Sequence, residues 1–487
     1  MTDNPTLIAI EGDWRKISVS HIPPKLERLT SYYVDGHRFA PAYLDGLWDG
    51  KKKFIKRNKM PFSLYRALRQ ELEDEDIKFY GKVYLPPVTF NAGITSDREY
   101  QNNCVTAMLK AYRLGGGTVL SATGSGKTAV TAQFFSKVQG ACLFVVDELH
   151  LLHQTRQELE DWLKEPVGII GESKFSPKRV TVGTIQTLSQ SSHTSEYFDW
   201  SETIQTMVVD ELHVMLGNRS FKVLEAIQPR AVYGLTASLQ MTRKEVRLQV
   251  YAFSGPVLFN FPISEGQKLG VLAQGAYISV KFPETIPVTD QTAATIYSAE
   301  VVCNKKKTDV VHSFLKKAIG QDKYAVVLCE RIKHVHNLSV CCDDIEHQLA
   351  YGEVKVEDRQ DAQKDFEVGD IKLIIANKVF KKGVNIKRLD LIMDVAEMSN
   401  PNDVTQKFGR GVRLHKDKES LLYIDIGTKG SNNLGKAAKA RKRAAKKLGV
   451  PCYELLIEPT DSVEDIVEDL WALSQKALGK LPVKATS

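Results

Sequence analysis

Eight residues constrain this chain more than any others: Ser121-Ala-Thr-Gly-Ser-Gly-Lys-Thr128. They overlap Thr118-Val-Leu-Ser-Ala-Thr123, a short apolar and β-branched run that reads as a buried strand. They lead into Ala129-Val-Thr-Ala-Gln-Phe-Phe-Ser-Lys137, which suits a helix. Gly124 and Gly126 let the backbone turn tightly, so successive N–H groups can converge on one phosphate. The helix N-terminus adds a partial positive charge at the same place. In such a strand–turn–helix, Thr123, Gly124, Ser125 and Gly126 shape the cradle. Lys127 reaches the β- and γ-phosphates of a nucleotide such as ATP, and Thr128 holds Mg²⁺. The competing reading is a chance Gly-rich turn, which the flanking strand and helix disfavour.

A chain of 487 residues is too long for one core, so three or four domains are expected. Its 43% hydrophobic and 26% charged residues are ordinary for globular protein. No apolar run approaches the ~20 residues of a membrane-spanning helix, and Met1-Thr-Asp-Asn-Pro5 lacks a signal layout. The net charge of +7 permits a polyanionic partner without requiring one. The seven cysteines are odd in number, include neighbouring Cys341 and Cys342, and form no C-x-x-C. A zinc site or disulfide framework is therefore disfavoured, and the thiols read as packing residues in a reducing compartment.

Residues 1–95 lack a strand–helix rhythm and read as a small accessory domain. Between Asp35 and Arg57, Asp-Gly and Trp-Asp-Gly steps are turn chemistry between short strands. Lys51, Lys52, Lys53, Lys56 and Arg57 form a basic stripe interleaved with aromatics, read either as a solvated hairpin or as a phosphate-contacting surface. Ser63 to Leu72 has amphipathic helical spacing. Over 96–258, apolar runs alternate with helical stretches: Thr118–Thr123, Ala141–Val146, Arg179–Thr184, Met207–Val209 and Ala231–Leu235. Over 259–430 a second set follows, at Tyr324–Cys329, Ile371–Ala376, Leu389–Val395 and Ser420–Ile426. Each set predicts a parallel sheet covered by helices. The last stretch, 431–487, predicts a basic Ala-rich helix over Lys436–Lys447 and an acidic amphipathic one over Asp461–Leu478. The basic helix could be a solvated surface or a nucleic-acid contact. The acidic one should pack on a neighbouring domain.

A phosphate cradle needs a carboxylate for the metal and a base that orders the attacking water. Two identical tetrapeptides qualify, each after an apolar run: Asp147-Glu-Leu-His150 and Asp210-Glu-Leu-His213. Only one can serve. In the second half, Gln406-Lys-Phe-Gly-Arg-Gly-Val-Arg413 sets Arg410 and Arg413 three apart on a predicted helix, so both can face one side.

Taken in order, these motifs resemble the superfamily 2 DExH helicases, from Arg98 to Arg413. Ser121 stands where the usual phosphate loop opens with Gly, and Gly124 before Gly-Lys-Thr matches the superfamily 2 variant. The resemblance selects the second tetrapeptide, because Leu235-Thr-Ala-Ser238 follows it about 24 residues later. It implies Asp210 for Mg²⁺ and Glu211 as the water-orienting base, with Asp147–His150 a coincidence. His213, Thr236 and Ser238 would sense the γ-phosphate and couple its loss to nucleic acid. Gln406-x-x-Gly-Arg-x-x-Arg is similar to the motif that supplies a guanidinium to the transition state. This makes Arg413 the expected finger and Arg410 its companion, with Gln406 at the nucleotide. Lys382-Gly-Val-Asn-Ile386 resembles a second coupling motif, placing Gly383 at the nucleotide, though the family more often has Asp at Asn385. Arg98-Glu-Tyr-Gln101 looks like the adenine-side element, with Gln101 on the base edge. Gln154, in Leu151-Leu-His-Gln154, and Thr184, in Gly183-Thr-Ile-Gln-Thr-Leu188, are the implied nucleic-acid contacts on the first lobe, beside Lys51, Lys52 and Lys53.

The N-terminal Asp35-Gly-x-Arg-Phe-x-Pro and Gly46-x-Trp-Asp-Gly50 are similar to the double-strand-recognition domain of the phage UvsW-type helicases. Gly270-Val-Leu-Ala273 has the flavour of the related XPB/RecG-like group. The resemblance implies an α/β fold of two tandem RecA-like parallel-sheet lobes, with a small N-terminal α+β accessory domain and a helical C-terminal tail. It implies an ATP- and Mg²⁺-dependent motor that moves 3′→5′ and remodels forks and four-way junctions at duplex/single-strand boundaries. A monomer in the cytoplasm (the host's, if phage-encoded) is expected. Single-strand-binding or recombination proteins are possible partners, and no membrane is involved. A duplex translocase that leaves strands paired, an RNA helicase and an ATP-gated binding module are the competing readings.

Overall fold

The computed structural model describes residues 4–236, 243–286, 292–377, 386–398, 401–430 and 433–479. The chain forms two compact units, Met1–Ser121 with Gly126–Asn260, and Ala122–Ser125 with Phe261–Ser487. Among the described residues no helix is long and apolar enough to cross a membrane.

The first unit is built on an eight-stranded sheet. Its order is Lys174–Ser176, Gly168–Gly171, Val180–Thr184, Ala141–Val146, Ile204–Val209, Ala231–Thr236, Gly116–Ser121, Val257–Phe261. The pairings from Gly168–Gly171 through Gly116–Ser121 are parallel. All five apolar runs of the sequence become strands here. Burial on both faces explains why they read as continuous apolar runs. In Ala141–Val146, for example, Cys142, Phe144 and Val146 enter one core while Leu143 and Val145 enter the other.

The N-terminal residues add a four-stranded mixed sheet, ordered Lys59–Pro61, Lys16–Val19, Thr6–Asp13, Ile77–Tyr84. Helix Phe62–Asp74 buries Leu64, Leu68 and Leu72, a 4-residue repeat that is the amphipathic stripe of the sequence. The basic stripe begins on a strand, Lys51–Lys53, paired antiparallel with Ser31–Tyr33. This accessory sheet is fastened to the rest of its unit. Leu248 joins its core, and Arg66 donates to the carbonyls of Leu114 (2.7 Å) and Gly116 (2.9 Å).

The second unit holds a seven-stranded, wholly parallel sheet. Its order is Gln348–Ala350, Leu373–Ala376, Ala325–Leu328, Leu391–Asp394, Ser420–Thr428, Gln274–Phe282, Cys452–Leu456. The C-terminal stretch contains both predicted helices, at Asn433–Lys446 and Val463–Gly479, with the sheet's edge strand between them. The acidic helix packs Ile466, Val467 and Leu470 into the second unit's core, and Trp471 lies 5.5 Å from Phe314. The basic helix buries Leu434, Ala438, Arg441 and Ala445, one stripe at helical spacing.

Arg441 has no exposed surface, and it belongs to a buried ionic group of three carboxylates and three cations. Its Nε donates to Asp425 Oδ1 at 2.8 Å, and Tyr277 donates to Asp425 Oδ2 at 2.6 Å. Lys407 pairs with Asp394, which also accepts from Tyr423 at 2.7 Å. Burial raises the Asp394 carboxyl, yet Lys407 and Arg441 outweigh it and hold the group at about 2. Lys307 pairs with Glu397 and donates to Thr428 Oγ1 at 2.8 Å.

His334, on helix Ile332–Cys341, is buried with no hydrogen bond to Nδ1 among the described residues. Burial, helped by the charge of Lys307, pushes its pKa down to about 4. An unfolded histidine titrates near ~6.5, so the unfolded state binds more protons between those values. Stability is therefore complete above about pH 6.5 and falls as pH drops towards 4, by roughly 3 kcal/mol. His334→Gln should flatten this acid limb in denaturant titrations at pH 7 and pH 4.5. An unchanged limb would show that another group titrates there.

Candidate nucleotide and nucleic-acid site

Strand Gly116–Ser121 runs parallel to Ala231–Thr236, turns through residues 122–126, and enters helix Lys127–Lys137. Gly124 and Gly126 have φ of +85° and +84°, a region in which a Cβ is strained. Thr123 and Ser125 lie in the same turn, and Ser125 donates its hydroxyl to the Ala122 carbonyl at 2.7 Å. A Cβ on Gly126 would stand 2.5 Å from Gln101 Nε2. Gln101 itself is 2% exposed, accepting from Ser96 at 2.6 Å and from Gln133 at 3.4 Å. It backs the phosphate loop from inside, an arrangement the sequence pattern of a base-reading residue did not suggest.

Lys127 and Thr128 open the helix. The Lys127 ammonium, 13% exposed, lies 2.8 Å from Glu211 Oε1 and 3.3 Å from Asp210 Oδ1. Burial works against its charge, but Asp210 and Glu211 outweigh it and hold its pKa above the ordinary lysine value. Burial pushes the Asp210 carboxyl up, Lys127 opposes this, and Glu211 adds to it.

The acidic box follows strand Ile204–Val209 and is clamped from both sides. Asp210 N–H donates to the Val145 carbonyl (2.9 Å) and Leu212 N–H to the Leu235 carbonyl (3.1 Å). Between them Glu211 has φ +44°, left-handed for a non-glycine residue, a conformation worth roughly 1–3 kcal/mol of strain. His213 Nδ1 lies 2.9 Å from Thr236 Oγ1 and 3.5 Å from Glu211 Oε2. Burial lowers the His213 pKa, so at neutral pH the ring is uncharged. The structure thus brings Lys127, Asp210, Glu211, His213 and Thr236 into one cluster at adjoining strand ends. Ser238 lies outside the described residues.

The first tetrapeptide ends the neighbouring strand, Ala141–Val146, where the Asp147 carbonyl accepts from Gln186 at 2.7 Å. Gln154 is exposed on the helix Leu149–Leu163 that follows, donating to Glu158 at 2.7 Å. Thr184 is the expected nucleic-acid contact of this stretch. It is 3% exposed, and its hydroxyl caps helix Ile185–Ser191, accepting from Thr187 N–H at 3.4 Å.

In the second unit Gln406 and Arg410 lie on helix Pro401–Gly411, and Arg413 stands two residues beyond its end. The chain still turns past Gly411, with the Val412 N–H donating to the Phe408 carbonyl at 3.0 Å and the Arg413 N–H to that of Arg410 at 3.4 Å. Buried Lys418 donates to the carbonyls of Gly411 and, at 3.3 Å, of Arg413, holding the chain where it leaves the helix. Lys407, beside Gln406, is the residue the sequence reading passed over. A lysine 5% exposed needs a partner, and Asp394 supplies it. Gly383 lies outside the described residues.

Residues 94–241 match the family described as the type III restriction enzyme res subunit, and residues 306–415 match the helicase conserved C-terminal domain. The DNA 3′-5′ translocase XPB2 of Sulfurisphaera tokodaii is 24% identical over 439 residues, spanning 82% of this chain and 96% of that protein. The ATP-dependent DNA helicase uvsW of Enterobacteria phage T4 is 21% identical over 448 residues, spanning 82% and 86%. S. cerevisiae Dbp5, solved bound to RNA and ADP BeF3, superposes with a TM-score of 0.54 at 14% identity over 78% of this chain and 93% of that one. This last likeness bears on the fold, two parallel-sheet RecA-like lobes. With both domain matches in the expected order around these motifs, the chain belongs to the superfamily 2 helicases and is related to UvsW.

Proposed function

We propose that this protein is an ATP-driven motor that advances 3′→5′ on one DNA strand and remodels forks and four-way junctions. The observation that carries the chemistry is Lys127 set between Asp210 and Glu211 at the end of the phosphate loop. The choice of DNA follows the related uvsW and XPB2 proteins and the direction of travel follows XPB2; the branched substrate rests on the resemblance of the Asp35–Gly50 motifs to the UvsW-type helicases.

The residues fit a magnesium nucleotide. Asp210 and the Thr128 hydroxyl are hard oxygen donors, and the paired carboxylates already demand a cation, which Lys127 now provides. Mg²⁺, when bound, would neutralise charge on the phosphates. The Lys127 ammonium is released from the carboxylates towards the phosphates, and backbone N–H groups of the Gly124–Lys127 turn orient them. Glu211 is then free to accept a proton from the attacking water, and its strained backbone fixes where that carboxylate points. Neutral His213, bonded to Thr236, links this event to the strand end that leads into the Ser238 segment. Arg413, with Arg410 beside it, is assigned to charge developing on the transferred phosphoryl, and Gln406 to the nucleotide.

ATP turnover and strand displacement should be measured on forked, four-way and blunt duplex DNA and on matching RNA. Stimulation by DNA over RNA, with displacement greatest on branched substrates, is expected. Greater stimulation by RNA would make the protein an RNA helicase, and movement without displacement a duplex translocase. Removing residues 1–90 would uncover Leu248, so substitutions test the accessory sheet better than deletion.

A further inference from the structure

A cavity of about 680 Å³ opens between the accessory ribbon and the first lobe. Lys51, Lys52 and Lys56 line it from the ribbon, Leu216, Gly217 and Gln249 from the lobe. Lys53, also at its edge, is committed to Glu27 and Asp49, each at 2.8 Å. The other three lysines form no ion pair among the described residues. Two of them rest on aromatic faces instead: Lys51 lies 5.2 Å from the Tyr33 ring centroid and Lys52 5.4 Å from that of Phe221. Burial and the charge of Lys56 lower the Lys52 pKa against the opposing pull of Glu225, so an anion placed there would favour the charged lysine.

From the rim of this cavity, between Val34 and Lys51, the chain makes a closed excursion. His37 stacks on Tyr33 at 5.0 Å and meets Tyr43 edge-on at 5.1 Å. Trp48 donates its ring N–H to the Lys51 carbonyl at 2.9 Å, and its backbone N–H to that of Ala42 at 2.9 Å. Gly50 has φ +75°, and a Cβ there would strike the His37 ring at 2.5 Å. While its interior is packed, the excursion turns three apolar side chains outward. Phe39 is 85% exposed, Leu47 82% and Leu44 71%. Asp35 and Glu245, which also line the cavity, are paired with Arg243. A lysine cluster outside those ion pairs, beside an ordered apolar tip, complements a charged backbone with accessible base faces, not an apolar protein groove.

We propose that this face is a junction-reading site for the duplex arm of branched DNA. Backbone phosphates lie over Lys51, Lys52 and Lys56, and Phe39, Leu44 and Leu47 press against the base pair where the arms part. The inference rests on the DNA-motor reading above and goes beyond it by assigning the tip. Because Leu216 and Gly217 follow the acidic box within a few residues, the arm would be held beside the segment that carries Glu211.

The test uses full-length protein, thermal unfolding to establish folding, and anisotropy and 2-aminopurine fluorescence at the branch point of a synthetic fork, without nucleotide. Lys51→Gln/Lys52→Gln/Lys56→Gln should weaken blunt-duplex binding and make the slope of log affinity against log salt shallower by about 3. Lys51→Gln/Lys56→Gln, which spares half-buried Lys52, should lower the slope by about 2 if the triple variant fails to fold. Phe39→Ser/Leu47→Ser should keep duplex affinity and its salt slope but lose the branch-point fluorescence increase and at least ~10-fold of fork-unwinding rate, in line with lost base contacts. Single-stranded-DNA-stimulated ATP turnover should stay unchanged in Phe39→Ser/Leu47→Ser. If DNA stimulates no turnover even in the unaltered protein, the motor reading fails. If turnover is stimulated but the tip variant separates forks normally, the assignment of the tip is overturned and it becomes a protein contact.

Discussion

Glu211→Gln should lower DNA-stimulated ATP turnover roughly 10²–10⁴-fold, the contribution of a positioned general base. Nucleotide binding should persist. Gln keeps an oxygen at the place where Glu211 now accepts from Lys127 at 2.8 Å, and Asp210 still answers the lysine charge. The site therefore loses its base without gaining an unpaired buried group. Lys127→Ala is a less selective probe. It leaves Asp210 and Glu211, each 22% exposed, facing one another without a cation. That variant should unfold more easily by on the order of 2 kcal/mol as well as fail to hydrolyse ATP. Single-turnover hydrolysis with radiolabelled ATP separates the two. Glu148→Gln, in the duplicate tetrapeptide, should turn over normally. Wild-type turnover by Glu211→Gln together with loss in Glu148→Gln would reverse the choice between the copies.

Arg441→Met should destabilise the second unit by about 3–5 kcal/mol, the usual consequence of removing one member of a buried ion pair. Asp425 would keep its bond from Tyr277 but lose its cation, and the Glu397 carbonyl would lose a donor. Trp471 is the only tryptophan in residues 261–487 and packs on that unit's core, so its fluorescence reports the loss directly. A midpoint lower by on the order of 10 °C is expected. Arg441→Met/Asp425→Leu should recover a large part of it, because a buried pair exchanged as a whole for apolar side chains often has little net effect. A single variant that unfolds like the parent would mean that Asp425 is neutral in the fold.

The contrast between these two sites shows what a sequence of this kind carries on its face. The proposed catalytic cluster was legible because its parts are local. Gly124, Gly126 and Lys127 have meaning within one turn, and the acidic box follows an apolar strand. The parallel strands were legible for a related reason, since burial on both faces leaves an unbroken apolar run such as Ala141–Val146. Short strands such as Gly168–Gly171 and Cys452–Leu456 gave no such signal, being four and five residues long with glycines or polar side chains among them. Arg441 was invisible for a different reason. It stands in the basic run Lys436–Lys447, and its partners come from strands Leu391–Asp394 and Ser420–Thr428 and from Tyr277. Local composition marks the run as solvated; only the fold shows that one of its charges points inward. The exact end of the helix before Arg413, at Gly411, was not legible from spacing alone.

Placing the edge strand Cys452–Leu456 after Asn433–Lys446 has a practical corollary. Anyone trimming the gene after the last conserved-looking arginine motif, near codon 430, would strip a whole flank from the Gln274–Phe282 strand. The bare N–H and C=O row left behind would invite self-association. Insolubility of such a shortened product would then be mistaken for the loss of a regulatory tail, when what had been cut away was a wall of the lobe.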